Sequence, residues 1–128
     1  MMKRALVVVK NRLVQEAVVS ALRKVGFFVE KSSSQETDRI LTLLDAFAAT
    51  TLLMDVTRFG DGSFEMRMDT IKEAKRLNPE LKAVLICDKV SDENNAHRIK
   101  CAKEEGGIDA FFYESVPSDY IADAVDAL

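Results

Sequence analysis

The side chains able to do chemistry gather at a few short places in the sequence: Val9-Lys10-Asn11, Asp55, Cys87-Asp88 and Tyr113-Glu114-Ser115. Three of them, Asp55, Asp88 and Glu114, are carboxylates, which brought together would repel one another unless a divalent cation took their oxygens as ligands. Lys10 offers a different remedy, an ammonium paired with Asp55 as a fixed positive charge. Cys87 would be a redox sensor if a positive neighbour lowered its thiol pKa, but a cysteine closing a buried strand behaves as an inert apolar residue, and it is read here as structural. His97, the one histidine, has no relay or metal partner in view and is expected on the solvent side of a helix.

Each of these places follows an apolar run of strand length. Ala5 to Val9 reads as a strand buried on both faces, and Leu13, Val14, Ala17, Val18, Ala21, Leu22 and Val25 then mark one face of a helix that Asn11 caps and Gly26 stops. Phe27 to Lys31 is a second strand; Ser33 with Glu36 forms a capping box before a helix carrying Ile40, Leu41, Leu44 and Phe47. Thr50 to Val56 is a third strand with Asp55 at its carboxyl end, and Gly60-Asp61-Gly62 is a loop before a helix marked by Phe64, Met68, Ile71 and Ala74 and ended by Asn78-Pro79. Leu81 to Cys87 is the fourth strand. Ser91 or Asp92 caps a fourth helix whose weak stripe is Ala96, Ile99, Cys101 and Ala102, which makes it the loosest expected element. Gly106-Gly107 stops it, Ile108 to Tyr113 is the fifth strand, and Ser118 caps a last helix bearing Ile121, Ala124, Val125 and Leu128.

Strict alternation of strand and helix requires right-handed crossovers and a parallel sheet covered on both faces, so the fold class is α/β, a three-layer doubly wound sandwich spanning residues 1–128 as one domain. Ligand chemistry in such a sheet sits at the carboxyl ends of the strands, which is where the polar residues above fall, in one candidate pocket. Lys10-Asn11-Arg12-Leu13 runs straight into a helix with no glycine-rich loop, which disfavours dinucleotides and P-loop nucleotides; a hydroxyl-rich loop for a flavin phosphate is also missing.

Composition narrows the class further. The 128 residues are 48% apolar and 30% charged with a formal charge of -3, an ordinary globular balance without the basic run that nucleic acid binding would need. Arg98, Lys100 and Lys103, and likewise Lys72, Lys75 and Arg76, read as solvated helix faces. Apolar stretches are too short to span a membrane and the start carries no signal-peptide pattern, so a cytoplasmic protein is expected. Cys87 and Cys101 lie far apart, without a second pair, and indicate neither a disulfide framework nor a zinc site.

The element order, Asp55 closing the third strand, Phe59-Gly60-Asp61-Gly62 after it and Gly107-Ile108-Asp109 before the fifth strand resemble a response-regulator receiver domain of two-component signalling. The resemblance covers nearly the whole chain and implies a flavodoxin-like five-stranded sheet of order 2-1-3-4-5, with Asp55 at the phosphoacceptor position. It also locates the departures. The acidic pair that helps hold magnesium in the family matches Val9 and Lys10, so magnesium is not expected as a cofactor. The family's Ser or Thr after strand four matches Cys87, or Asp88 if the register shifts by one, and its Lys after strand five matches Glu114. The switch aromatic matches Phe111; the run Phe111, Phe112, Tyr113 must place rings on both faces of the sheet. This pattern resembles a degenerate, pseudo-receiver domain in which Lys10 pairs with Asp55 and locks the pocket in one state.

The reading is a non-enzymatic module that binds a protein partner: a histidine kinase, an effector domain, another receiver or a second copy as a homodimer. The resemblance implies the fourth helix, fifth strand and fifth helix as the surface. No nucleic acid or membrane partner is expected. The rival reading is a phosphoacceptor receiver phosphorylated on Asp55 by a histidine kinase.

Overall fold

The computed structural model describes residues 3–58, 60–87 and 93–128. Strands and helices alternate as β1 (Arg4–Val8), α1 (Arg12–Lys24), β2 (Phe28–Lys31), α2 (Thr37–Phe47), β3 (Thr51–Asp55), α3 (Phe64–Leu77), β4 (Lys82–Cys87), α4 (Glu93–Glu104), β5 (Ala110–Tyr113) and α5 (Ser118–Asp126). The strands form one five-stranded sheet in the order β2-β1-β3-β4-β5, every neighbouring pair parallel. The parallel, doubly wound sheet is the one expected from the alternation, and its order is the flavodoxin-like order that the resemblance implies.

Alternate residues of the strands feed two separate cores. Leu6, Val8, Leu52, Met54, Ala83 and Leu85 face α2, α3 and α4, where Ile40, Leu44, Ile71, Ala74 and Ile99 meet them. Ala5, Val7, Leu53, Val84 and Ile86 face α1 and α5, against Val18, Leu22, Ile121 and Val125. β1, β3 and β4 lie inside the sheet and have no polar face to spare, which is why their sequences are continuous apolar runs. β2 is an edge strand, and of its residues only Val29 is buried.

Helix ends show where local sequence decides and where it does not. Asn11 caps α1 as expected, its Oδ1 accepting the N–H groups of Leu13 at 3.0 Å and Val14 at 3.2 Å, and Gly26 closes the helix at φ 99°. The capping box assigned to Ser33 does not form. α2 starts one turn later with Glu36 at its N-cap and no side-chain cap, while Ser34 Oγ accepts the Glu36 N–H at 3.2 Å. Ser118 is the first residue of α5 and Pro117 precedes it, so proline sets the entry angle there. Gly60–Gly62 is a short 3-10 turn, and Ser63 caps α3 by accepting the Met66 N–H at 3.3 Å. Leu13 is 82% exposed because it lies in the first turn of α1, beyond the strand ends; Leu128 lies past α5 and is 43% exposed. The caps assigned to Ser91 or Asp92 lie outside the described residues. Among the described residues, no helix is long and apolar enough to cross a membrane.

Candidate functional site at the carboxyl ends of the strands

Asp55 ends β3 as an almost wholly buried carboxylate, 3% exposed, and both of its oxygens are engaged. Oδ2 accepts the backbone N–H of Lys10 at 2.9 Å, a bond delivered by the turn that links β1 to α1. Oδ1 accepts Arg67 Nη2 at 2.9 Å, and Arg67 Nε donates to the Asp55 carbonyl oxygen at 2.8 Å. A fixed positive charge does sit against Asp55, but Arg67 supplies it. Lys10 contributes its backbone while its side chain is exposed, which corrects the pairing expected from sequence.

Arg67 is fully buried in the first turns of α3 and reaches back along the end of β3. Its Nη2 also donates to Gln35 Oε1, and Thr37 Oγ1 lies 2.6 Å from Thr70 Oγ1, so the start of α3 is tied to the start of α2 at two points. Burial pushes the guanidinium below its usual pKa, and the attraction of Asp55, its hydrogen bond and the charge of Asp61 oppose that shift. Arg67 Nη1 is buried without a hydrogen-bond partner among the described residues. Arg67 is not among the candidate residues read from the sequence, where only Lys72, Lys75 and Arg76 of this helix are considered, as a solvated face. A signal was available: position 67 lies three residues after Phe64 and four before Ile71, inside the helix's own apolar stripe. A cation there needs a buried partner, and the carboxylate ending β3 is the one at hand.

The other site residues divide. Asn11 is spent on capping α1. Cys87 ends β4 opposite Tyr113 and is 1% exposed, in keeping with a structural thiol. Glu114 donates its backbone N–H to Cys87 O at 2.9 Å and lines a crevice of about 220 Å³ between α1 and α5 with Leu13, Val14 and Val116. Asp88 lies outside the described residues, so the three-carboxylate cation site is represented only by Asp55 and Glu114. Among the described residues, no group of three or more metal-ligating side chains forms. Phe111 and Tyr113 pack on the α2-α3-α4 face with ring centroids 5.9 Å apart, and Phe112 packs on the opposite face, where it meets Tyr120 at 6.4 Å. The aromatic run is therefore split between the faces, as period-two geometry demands.

Two further expectations change. Lys75 is not merely solvated: its Nζ lies 2.8 Å from Asp109 Oδ2, which also accepts the Ala83 N–H at 2.8 Å. His97 is exposed as expected, but its Nε2 lies 3.7 Å from Cys101 Sγ, so it does have a neighbour with chemistry of its own.

The residues matching the family's magnesium-binding pair do not fit that ion. Val9 packs into the α1-α5 core, Lys10 brings no oxygen side chain, and both Asp55 oxygens already accept N–H donors. Structural comparison nevertheless places the architecture clearly. The chain is similar to a response regulator from Thermotoga maritima, with a TM-score of 0.77 and 20% identity over 99% of this chain and 97% of that one. It is also similar to a CheY-like response regulator receiver domain protein from Methanospirillum hungatei, with a TM-score of 0.73 and 18% identity over 99% and 93% of the two chains. A third similar structure is a Thermotoga maritima response regulator solved in complex with magnesium and beryllium fluoride, with a TM-score of 0.72 and 17% identity over 98% of both chains. No protein-family model matches the sequence, and no curated protein matches it either. The fold is that of response regulator receiver domains.

Proposed function

We propose that this chain is a receiver-type signalling domain that acts by binding a protein partner, without phosphorylation at Asp55. The observation that carries this reading is the double occupation of the Asp55 carboxylate by Arg67 and the Lys10 backbone N–H within a buried site. Attack on a phosphodonor needs an accessible oxygen lone pair and a cation to neutralise the charge that develops on the transferring group. Here the oxygens are hydrogen-bonded inward, and Glu114 stands where the receiver resemblance implies a lysine. The arrangement supports one fixed state, not a two-state switch.

In this reading the domain is not an enzyme, needs no magnesium, resides in the cytoplasm and binds neither nucleic acid nor membrane. Its partner is a kinase, an effector domain, another receiver or a second copy. The rival reading, a phosphoacceptor on Asp55, draws support from the same Arg67, because a guanidinium also pairs with phosphoryl oxygens.

Intact mass after incubation with magnesium and acetyl phosphate separates the two, with an Asp55→Asn variant alongside. The unmodified mass is expected throughout. A phosphoryl adduct on the wild type that is absent from the variant would overturn the proposal and establish the phosphoacceptor.

A further inference from the structure

His97 and Cys101 stand four residues apart on α4, one helical turn, with His97 Nε2 3.7 Å from Cys101 Sγ. Neither group is used by the strand-end site. His97 is exposed, Cys101 is half-buried, and the helix turns Ala96, Ile99 and Ala102 toward the core instead. The pair thus stands on the outer side of α4, with His97 open to solvent and Cys101 half-buried. A tetrahedral zinc ion binds sulfur at about 2.3 Å and imidazole nitrogen at about 2.0–2.1 Å, which sets the two ligand atoms about 3.6 Å apart at the tetrahedral angle. The observed separation of 3.7 Å is close to that bite.

We propose that His97 and Cys101 form half of a site for a zinc-class divalent cation, and that the same pair of a second copy of this chain completes it. Two ligands leave two positions open in a tetrahedral shell, and among the described residues this chain brings no third metal-ligating side chain into the group. A two-fold related copy supplies the matching histidine and cysteine, giving a His2Cys2 shell across an isologous contact. Two thiolates neutralise the dication, so the assembled site adds no net charge to a helix that carries Arg98, Lys100 and Lys103 alongside Glu104, one turn from Cys101. The protons released are those of the two thiols, so binding strengthens as pH rises.

The competing account of the same distance is a thiol-imidazole hydrogen bond with no metal affinity. Cobalt distinguishes the two, since cobalt in a tetrahedral site shows visible d-d bands and thiolate ligation adds a charge-transfer band in the near ultraviolet. The reduced full chain, free of affinity tag and chelator, is titrated with cobalt, and its mass in solution is followed with zinc. Expected are both sets of bands, one metal for every two chains, and a zinc-dependent dimer. Cys101→Ser should abolish the charge-transfer band, and His97→Ala should abolish the zinc-dependent dimer; both sites are on the surface, and circular dichroism verifies that the variants fold. Bands that persist in Cys101→Ser, a one-to-one complex of monomeric protein, or no cobalt spectrum at all would each overturn the proposal.

Discussion

Asp55 and Arg67 form an ion pair in which the guanidinium side chain is 0% exposed and the carboxylate side chain 4% exposed. Taking two charges out of water is costly, and their attraction repays this only when the remaining donors and acceptors are satisfied. Here Gln35, the Lys10 N–H and the Asp55 carbonyl satisfy most of them, and Arg67 Nη1 is left over. Removing one partner strands the other, so Arg67→Met is expected to destabilise the fold by about 3–5 kcal/mol. Combining it with Asp55→Leu removes both charges and should recover most of that loss. Urea denaturation of the single and double variants measures this; an Arg67→Met protein as stable as the wild type would show that Arg67 is not what holds the carboxylate.

At the scale of elements, the sheet is tied to its helices by a few polar anchors in addition to apolar packing. Asp109, just before β5, holds Lys75 of α3 and the first buried residue of β4, Ala83, with the same oxygen. Burial alone would raise the Asp109 pKa, but the hydrogen bonds from Lys75 and Ala83 and the nearby charges of Lys75 and Lys82 outweigh it and hold the carboxyl below its usual range. A carboxyl depressed in the folded state contributes stability above its unfolded pKa of about 3.9 and loses it as pH falls through the folded value. The stability gap between wild type and Asp109→Asn should therefore be full at neutral pH and should shrink on acidification below about pH 4. Urea midpoints across that range provide the measurement, and a gap unchanged by pH would mean that Asp109 contributes through shape alone. The Gly107-Ile108-Asp109 segment thus has a structural use, whatever its place in the receiver resemblance.

Across the whole molecule, one sheet is shared by two cores, so damage to either face should be felt by both. Leu53 and Met54 are adjacent on β3, are both 0% exposed, and pack on opposite faces. Leu53→Ala and Met54→Ala should each cost about 2–5 kcal/mol and shift one common transition. Far- and near-ultraviolet circular dichroism should remain coincident during unfolding; two separated transitions in either variant would show that the cores melt independently.

The architecture was legible in the chain because buried parallel strands and amphipathic helices write their periods directly into sequence, and alternating them leaves few topologies. The strands from Ala5, Thr50 and Leu81 and the stops at Gly26 and Gly106 needed no tertiary knowledge. Asp55 was legible too, as a carboxylate at the end of an apolar run. Its partner was not. Lys10 is near Asp55 by topology, but a side chain at the mouth of a sheet can extend into water, whereas Arg67 arrives from α3 with no route outward and must pair where it is buried. Cap choice at Ser33 and the closeness of His97 to Cys101 also depended on where the helices came to rest. Local periodicity thus determined the elements and their order, while only the packed tertiary structure decided which charge meets which, because burial, not sequence distance, sets the cost of leaving a charge unpaired.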